Sequence, residues 1–256
     1  MASAYNFMVD GLWYRTHSDG TTVEVTSDNA HPSSGYPGLS GNLTIPASVT
    51  YNDVTYSVTE IGLGAFEGCN GLTSVSIPNS VIEIDSQAFC NCSGLTSVII
   101  PNSVTKIGTH AFAYCTALTS VNLPNSLKSI HEWAFMGCTG LTSITIPQSV
   151  TNIGNNPFAE CSNLASIVVE DGNPYYNSRD NCNAIIYYNN PYHVVDNAIV
   201  SGCKSTTIPS DVKAIYKGAF YGCTELTSIV IPYSVNMIYE EAFNNCHFTS
   251  VTVPNT

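Results

Sequence analysis

Cysteine is the residue type with the most chemistry to offer in this chain, which holds ten of them. Zinc sites favour paired C-x₂-C motifs, and the sequence has no such pair with a matching second pair. Seven cysteines instead recur at one position of an internal repeat, at residues 69, 92, 115, 138, 161, 223 and 246. This spacing favours a ladder of buried free thiols that pack as small apolar residues. We consider a disulfide only for Cys182 and Cys203, which lie off the regular repeats.

The histidines and carboxylates show no catalytic spacing. The six histidines share no register, and no HExxH, GxSxG, P-loop or EF-hand motif occurs. Asp171 and Asp180 lie on an irregular segment, and nothing in the sequence places them as a glycosidase pair. We therefore predict a protein that is not an enzyme and holds no metal or cofactor.

Composition excludes further classes of function. The net charge is −12 and only seven residues are basic, whereas nucleic-acid binding needs a basic face. No run of 18 apolar residues occurs, so we expect no membrane insertion. The segment Met1–Ala4 is too short for a secretory signal, so we expect either that a signal has been removed or that the protein is not exported.

A repeat of 23 residues organises the chain. The sequence I-G-L-G-A-F-E-G-C-N-G-L-T-S-V-S-I-P-N-S-V begins at Ile61, and its frame returns at residues 84, 107, 130 and 153, then at 215 and 238. A fixed period of this size indicates a solenoid, in which each coil buries its apolar side against its neighbours.

Each repeat divides into a strand, a turn and a segment whose apolar side chains point into the core. Val75 and Ile77 are two residues apart and share one face of a strand, and Pro78 ends the strand because it has no N–H. Ala88, Phe89 and Cys92 have the spacing of one helical turn, so we expect a turn of helix there. The fold class predicted is an α/β repeat solenoid. It would be a right-handed coil with a parallel concave β-sheet, short helical turns on the opposite side and an N-terminal β cap.

Two stacks of equivalent side chains should form the core of this solenoid. One is the phenylalanine stack, Phe66, Phe89, Phe112, Phe135, Phe158, Phe220 and Phe243. The other is aliphatic and comprises Ile77, Ile100, Leu123, Ile146, Val169, Ile231 and Val253.

Residues 1–60 precede the repeats and are predicted to cap them. Asp10-Gly11 is a common tight-turn pair and should join two short strands, and residues 21–26 alternate as a third strand. A cap is needed because the first coil would otherwise expose its apolar edge. Residues 61–256 form the repeat region.

The repeat region carries an irregular insertion at about residues 170–207. We expect strands at 184–188 and 194–200 with a turn at 189–191, so one irregular coil with a hairpin is the preferred interpretation. Two shortened coils are the alternative, because Cys161, Cys182, Cys203 and Cys223 follow one another at spacings of 20 or 21 residues. Tyrosine is a common binding anchor, but it is also a common filler of irregular β packing, and packing is the favoured interpretation here. The tyrosines of the insertion that are binding candidates are Tyr175, Tyr187, Tyr188 and Tyr192.

The frame L-x-x-V-x-I-P-x-S-V-x-x-I-x-x-x-A-F-x-x-C resembles the BspA-like leucine-rich repeats, the Treponema pallidum type, over roughly residues 43–256. The segment from Asn173 to Ile186 resembles this family too. The resemblance implies a secreted or surface-anchored protein that binds host molecules or other cells. It implies no catalytic residues.

The function predicted is therefore a non-enzymatic, extracellular or cell-surface repeat protein that binds a protein or glycan ligand by adhesion. The outward positions of the concave strands are small and hydroxyl-rich, with a few apolar exceptions. The binding candidates among them are Ser97, Ile99, Ser120, Asn122, Ser143, Thr145, Val168 and Val230. The alternative is a structural spacer without a ligand, which would lack any exposed patch larger than scattered single residues.

The last coil carries a separate expectation. Its strand from Thr249 to Val253 is followed by no polar capping segment in this sequence, so one edge and the apolar side chains beside it should be uncovered. We expect this end to be covered by further chain or to associate end to end with a second copy.

Overall fold

The structure, a computed structural model, describes residues 6–27, 36, 38–189 and 195–253. Within these residues the chain forms short strands joined by turns. The strands that precede the first repeat turn are β1 (Asn6–Val9), β2 (Leu12–Thr16), β3 (Thr22–Thr26), β4 (Ser40–Thr44), β5 (Ser48–Tyr51) and β6 (Val54–Ile61). The next five coils contribute β7 (Gly71–Ser76), β8 (Glu83–Ile84), β9 (Ser97–Ile99), β10 (Lys106–Ile107), β11 (Ser129–Ile130), β12 (Ser143–Ile146), β13 (Asn152–Ile153) and β14 (Ser166–Val169). The insertion and the last coils contribute β15 (Tyr176–Asn177), β16 (Ala184–Tyr187), β17 (Ala198–Gly202), β18 (Ala214–Ile215), β19 (Ser228–Val230), β20 (Met237–Ile238) and β21 (Ser250–Thr252).

The N-terminal strands extend the sheet of the repeats. β1 and β2 form the predicted hairpin about Asp10 and Gly11, whose φ angles of 49° and 81° are those of the turn that suits a two-residue hairpin. β3 is the predicted third strand; it pairs antiparallel with β2 and parallel with β6. β6 in turn pairs with β8, so the edge of the first coil is hydrogen-bonded to this region.

The regular coils pair in parallel through two sets of strands. Short strands at the repeat isoleucine align as β6-β8-β10-β11-β13, with Ile84 opposite Ile107 and Ile130 opposite Ile153. Longer strands form the strand face, in the pairs β4-β7-β9, β12-β14 and β19-β21. Residues 119–123 form no strand, so the strand face is interrupted between β9 and β12.

The expectation of helical turns opposite the strands is wrong. Among the described residues the only helix is a 3₁₀ turn, Arg179–Asn181 in the insertion. The A-F-x-x-C segments are turns in which the third and seventh residues after the repeat isoleucine have left-handed backbone, as at Gly64 (φ 59°) and Gly68 (φ 72°). A right-handed helix cannot contain a left-handed residue every four positions. The predicted inward packing is confirmed, since Ala88, Phe89 and Cys92 are fully buried.

Left-handed residues let the turn hydrogen-bond to the next coil. In the first turn Ala65 N and Cys69 N donate to the carbonyls three residues earlier, whereas Gly64, Phe66 and Gly68 donate to the carbonyls of Ser86, Ala88 and Cys90 in the next coil. Such turns therefore form a third inter-coil ladder beside the two sets of strands.

The cysteine ladder contributes hydrogen bonds as well as packing. All ten cysteines are free thiols, including Cys182 and Cys203. Five of the seven ladder thiols donate to the phenylalanine carbonyl of the preceding coil, as Cys115 Sγ does to Phe89 O at 3.2 Å. The other two differ, since Cys69 Sγ donates to Tyr36 O and Cys223 Sγ to Gly202 O. Burial raises the pKa of the Cys115, Cys138 and Cys161 thiols, so these groups stay protonated donors.

The core consists of two apolar clusters. In the first cluster the phenylalanine rings stack, with ring centroids 5.2 Å apart for Phe66 and Phe89 and 5.6 Å apart for Phe135 and Phe158. Phe220 begins a second cluster and stacks on Phe243 at 5.1 Å. One member of the predicted aliphatic stack is not core, because Val253 is 61% exposed.

The insertion separates these clusters. β16 and β17 form the predicted antiparallel hairpin, although its tip at residues 190–194 lies outside the described residues. Every residue of both strands is buried. Ile185 and Tyr187 pack into the first cluster, while Ala184 and Ile186 pack into the second. β17 then pairs in parallel with β18, with Ile199 opposite Ile215, so one strand of the hairpin takes the place of a repeat isoleucine strand.

Phe135 should be far more important for stability than a residue of the strand face. Phe135 is fully buried between two stacked rings, so Phe135→Ala should lower the free energy of unfolding by about 3–5 kcal/mol. Ser120→Ala, at an exposed position, should change it by less than about 0.5 kcal/mol. Urea denaturation of both variants checks this, and equal midpoints would contradict the assignment of inner and outer faces.

Candidate functional site

Each of the eight strand-face candidates is exposed or directed outward. They are Ser97, Ile99, Ser120, Asn122, Ser143, Thr145, Val168 and Val230. Ile99 is 69% exposed and Val230 63%, but they lie in coils on opposite sides of the insertion. The predicted orientation of these residues is confirmed, while a binding role stays a prediction.

Two adjoining depressions lie where the strand face is interrupted. The larger, of about 740 Å³, is lined by Ile99, Asn122 and the I-P-N-S turns of neighbouring coils. A second, of about 360 Å³, brings together Ser120, Asn122, Ser143 and Thr145. Their lining mixes polar and apolar residues and is neutral, apart from Glu170 at the edge of the second. This surface offers hydrogen bonds without an aromatic anchor.

The insertion tyrosines do not form an exposed group. Tyr187 is 2% exposed because β16 is buried on both faces, so its candidacy as a surface binding residue is wrong. Tyr175 is partly buried against the first cluster. Tyr188 is 37% exposed, and its hydroxyl donates to Asn173 O at 2.8 Å. Tyr192 lies outside the described residues.

An aromatic groove occurs instead on the turns. It has a volume of about 260 Å³ and is called here the turn-face groove. Its side chains come from five coils and include the buried Asn156. The residues that line its walls are His110, Tyr114, Trp133, Met136, Tyr221 and Glu241.

The repeat register brings these side chains together. His110 and Trp133 are equivalent residues of neighbouring coils, and their rings lie 4.9 Å apart. The Tyr114 hydroxyl donates to Met136 Sδ at 3.7 Å. Tyr221 arrives from beyond the insertion, because Glu160 N donates to Tyr221 O and joins the two turns directly.

Sequence reasoning missed the groove because the expected helical turn hid the exposed positions. The left-handed positions carry Gly, Asn, Gln or Glu in most coils, but Tyr at 114 and Trp at 133. A comparison of these positions between repeats would have singled out both aromatics.

One ionic cluster lies in the N-terminal region. A ring nitrogen of His17 and carboxylate oxygens of Glu24 and Glu60 lie within 4.8 Å of one another, a spacing that a metal ion could bridge. The Arg15 guanidinium already contacts Glu24 and supplies positive charge there. Burial, then Glu24 and two further carboxylates, raise the pKa of Glu60 to about 7. We interpret the cluster as an ion pair with an adjacent, easily protonated carboxyl group.

No helix in the described part of the chain has the length and apolar character needed to cross a bilayer.

The parallel inter-coil pairing and the 23-residue frame define a leucine-rich repeat protein. The model of the BspA type leucine rich repeat region matches residues 59–185 and 200–256 with six copies, and the chain belongs to this family. No curated protein matches the sequence.

Solved structures support the fold. A leucine-rich repeat protein from Bacteroides ovatus is 28% identical, with a TM-score of 0.57 over 95% of this chain and 81% of that one. The Treponema pallidum leucine-rich repeat protein is 24% identical, with a TM-score of 0.59 over 91% and 86% of the two chains. The pneumococcal vaccine antigen PcpA is 19% identical, with a TM-score of 0.69 over 98% and 70%. The last two likenesses concern the fold.

Stability should depend on the ionisation of Glu60. A carboxyl group whose pKa is higher in the folded than in the unfolded protein stabilises the fold at pH values below its unfolded pKa. For Glu60 this stabilisation is lost as the pH rises towards 7. Glu60→Gln should therefore stabilise the protein at pH 8 by about 1–3 kcal/mol and leave it nearly unchanged at pH 4. Thermal unfolding at both pH values tests this. Glu225→Gln, at an exposed carboxylate that is not among the groups acting on Glu60, is the control and should leave stability nearly unchanged at both pH values.

Proposed function

We propose that this chain is a non-enzymatic repeat module, secreted or displayed at the cell surface, that binds a protein or glycan ligand of a host or of neighbouring cells. Membership of a repeat family supports the binding role, because a solenoid presents a long surface. Adhesion is the form of binding that we infer.

The turn-face groove carries this proposal. A spacer needs only a polar surface, and the strand face, with its serines and threonines, would serve one. The groove differs, because three large aromatic rings and a methionine meet in one recess. Aromatic residues dominate the energetics of binding sites when they cluster in this way.

An array of purified extracellular matrix proteins and glycans should identify a saturable ligand. Trp133→Asn should weaken that binding about tenfold or more, because it removes the largest ring of the groove. The substitution suits the backbone, since Asn156 occupies the equivalent left-handed position with φ 50°. The matched variant is the pair Ile99→Ser and Val230→Ser on the strand face.

The pair of variants separates three outcomes. Loss of binding in Trp133→Asn with retention in the strand-face variant supports the groove as the anchor. The reverse pattern assigns binding to the strand face and contradicts the groove. Absence of any saturable ligand in the wild type favours the spacer and overturns the proposal.

We further propose that the last coil associates with a second copy of the chain. β21 pairs with β19 on one side, and no described strand pairs with its other side. Val251 is 48% exposed, Val253 61% and Ile238 50%, so apolar side chains accompany this open strand edge.

Light scattering over a range of concentrations tests this association. Val251→Lys should reduce any self-association, because a lysine at a strand edge opposes pairing. Val230→Lys, at an exposed valine of the neighbouring β19, is the control and should have no such effect. A wild type that stays monomeric at high concentration would contradict the proposal.

A further inference from the structure

The two large aromatics of the turn-face groove stand in unusual backbone. Tyr114 has φ 59° and Trp133 φ 54°, a region that bulky side chains seldom adopt. Equivalent positions in other coils hold smaller or more flexible residues, such as Gly68 and Gln87. Neither aromatic belongs to the buried core, so packing does not account for them. Retained backbone strain of this kind is a reason to look for a binding role.

Space for these rings is built into the neighbouring coils. A Cβ atom on Gly137 would lie 2.4 Å from Tyr114 Cδ1, so the Tyr114 ring rests on this glycine. A Cβ on Gly222 would likewise lie 2.5 Å from Glu160 Cγ. Large side chains thus alternate with glycines along the turns, and the groove is formed before any ligand arrives.

The charge around the groove is negative. Glu241 lines it, Glu160 acts electrostatically on Tyr114, and Glu132 acts on His110. Burial lowers the pKa of His110, so its ring adds no positive charge at neutral pH. Lys217, whose backbone carbonyl faces Asn156, has its ammonium paired with Glu240 at 3.3 Å. The whole chain has a net charge of −12, which reinforces the same field.

Two donor groups of the groove are already used within the protein. With its amide turned so that nitrogen donates, Asn156 bonds Lys217 O at 2.7 Å and Gly218 O at 2.9 Å, which uses both N–H groups. The Tyr114 hydroxyl can donate to Met136 Sδ, which lies 3.7 Å away. Glu241 can only accept. A neutral sugar needs donors and acceptors in balance, whereas a cation needs negative ring faces and carboxylates.

From this combination we propose that the turn-face groove binds a cationic side chain of a protein ligand, a lysine ammonium or an arginine guanidinium, against Trp133 and Tyr114 with Glu241 as counter-ion. The inference rests on the proposed binding function and specifies the chemistry of its partner.

Tryptophan fluorescence can test the proposal directly, because the chain has only two tryptophans. In a Trp13→Phe background the emission reports on Trp133. The probes are capped pentapeptides with a central lysine or arginine between glycines, and their neutral isosteres with norleucine or citrulline. Lysine and arginine peptides should change the emission saturably, and added salt should weaken the effect. The neutral isosteres and methyl glycosides should bind about 3- to 10-fold more weakly or not at all.

Variants drawn from the repeats themselves locate the site. Tyr114→Asn copies Asn91, and Glu241→Gln copies Gln87, each at an equivalent left-handed position. Both should weaken the cationic peptides about 3- to 10-fold in the same fluorescence assay. Tyr233→Asn, at a residue 79% exposed and remote from the groove lining, should have no effect.

Different results would overturn the inference. Equal binding of lysine and norleucine peptides would make the groove merely apolar, and binding of glycosides alone would make it a sugar site. If no probe alters Trp133 emission while the ligand from the array still depends on Trp133, the proposed function stands and the cationic partner is wrong. If the lysine peptide binds but the array yields no ligand, the groove chemistry stands and the adhesive function fails.

Discussion

The structure depends on backbone hydrogen bonds that cross from each turn to the next coil. In a helix the N–H groups of the A-F-x-x-C segment would be satisfied within one coil, and neighbouring coils would meet only through side chains. Left-handed residues redirect every second N–H, so Phe66 N reaches Ala88 O and Phe89 N reaches Ala111 O. Most thiols of the cysteine ladder add a bond to the phenylalanine carbonyl of the previous coil, as Cys92 Sγ does to Phe66 O. Backbone ladders therefore fix the register on the turn side as firmly as on the strand side.

A fixed register turns repeat positions into rows on the surface. Side chains 22 or 23 residues apart become neighbours, as Lys106 and Glu83 do at 3.1 Å and Tyr114 and Met136 do at 3.7 Å. The core rows must stay apolar, since each member packs against its equivalents. The outer rows are free to vary, so function can be encoded by a few substitutions. The turn-face groove is such a case, with tyrosine and tryptophan in rows that elsewhere hold mostly Gly, Asn, Gln or Glu.

The sequence predicted the features that follow directly from periodicity. The 23-residue frame predicted the parallel pairing, the phenylalanine stack and the inward cysteines, and Asp10-Gly11 predicted the first hairpin. It could not predict the turn conformation, because Ala88, Phe89 and Cys92 have the same inward spacing in a helix and in the observed turn. The helix and the observed turn differ in which carbonyl each backbone N–H donates to, and in the turn half of these carbonyls belong to the neighbouring coil. Candidate residues on the strand face were recognisable from alternation, whereas the groove required knowledge of which turn residues face outward.

The insertion shows how the two kinds of ladder act independently. On the isoleucine and core side, β16 and β17 lie between the coils of Ile153 and Ile215 and bury apolar residues in both clusters. On the turn side these same coils touch, through Glu160 N and Tyr221 O. The turns can approach each other across the insertion because Gly218 and Gly222 have no side chain. A Cβ on Gly218 would lie 2.2 Å from the Asn156 side chain, and a Cβ on Gly222 would lie 2.5 Å from the Glu160 side chain. The same closure brings Tyr221 and Glu241 beside Trp133 and Tyr114. The groove thus exists because the inserted hairpin is accommodated on one side of the coils and excluded from the other.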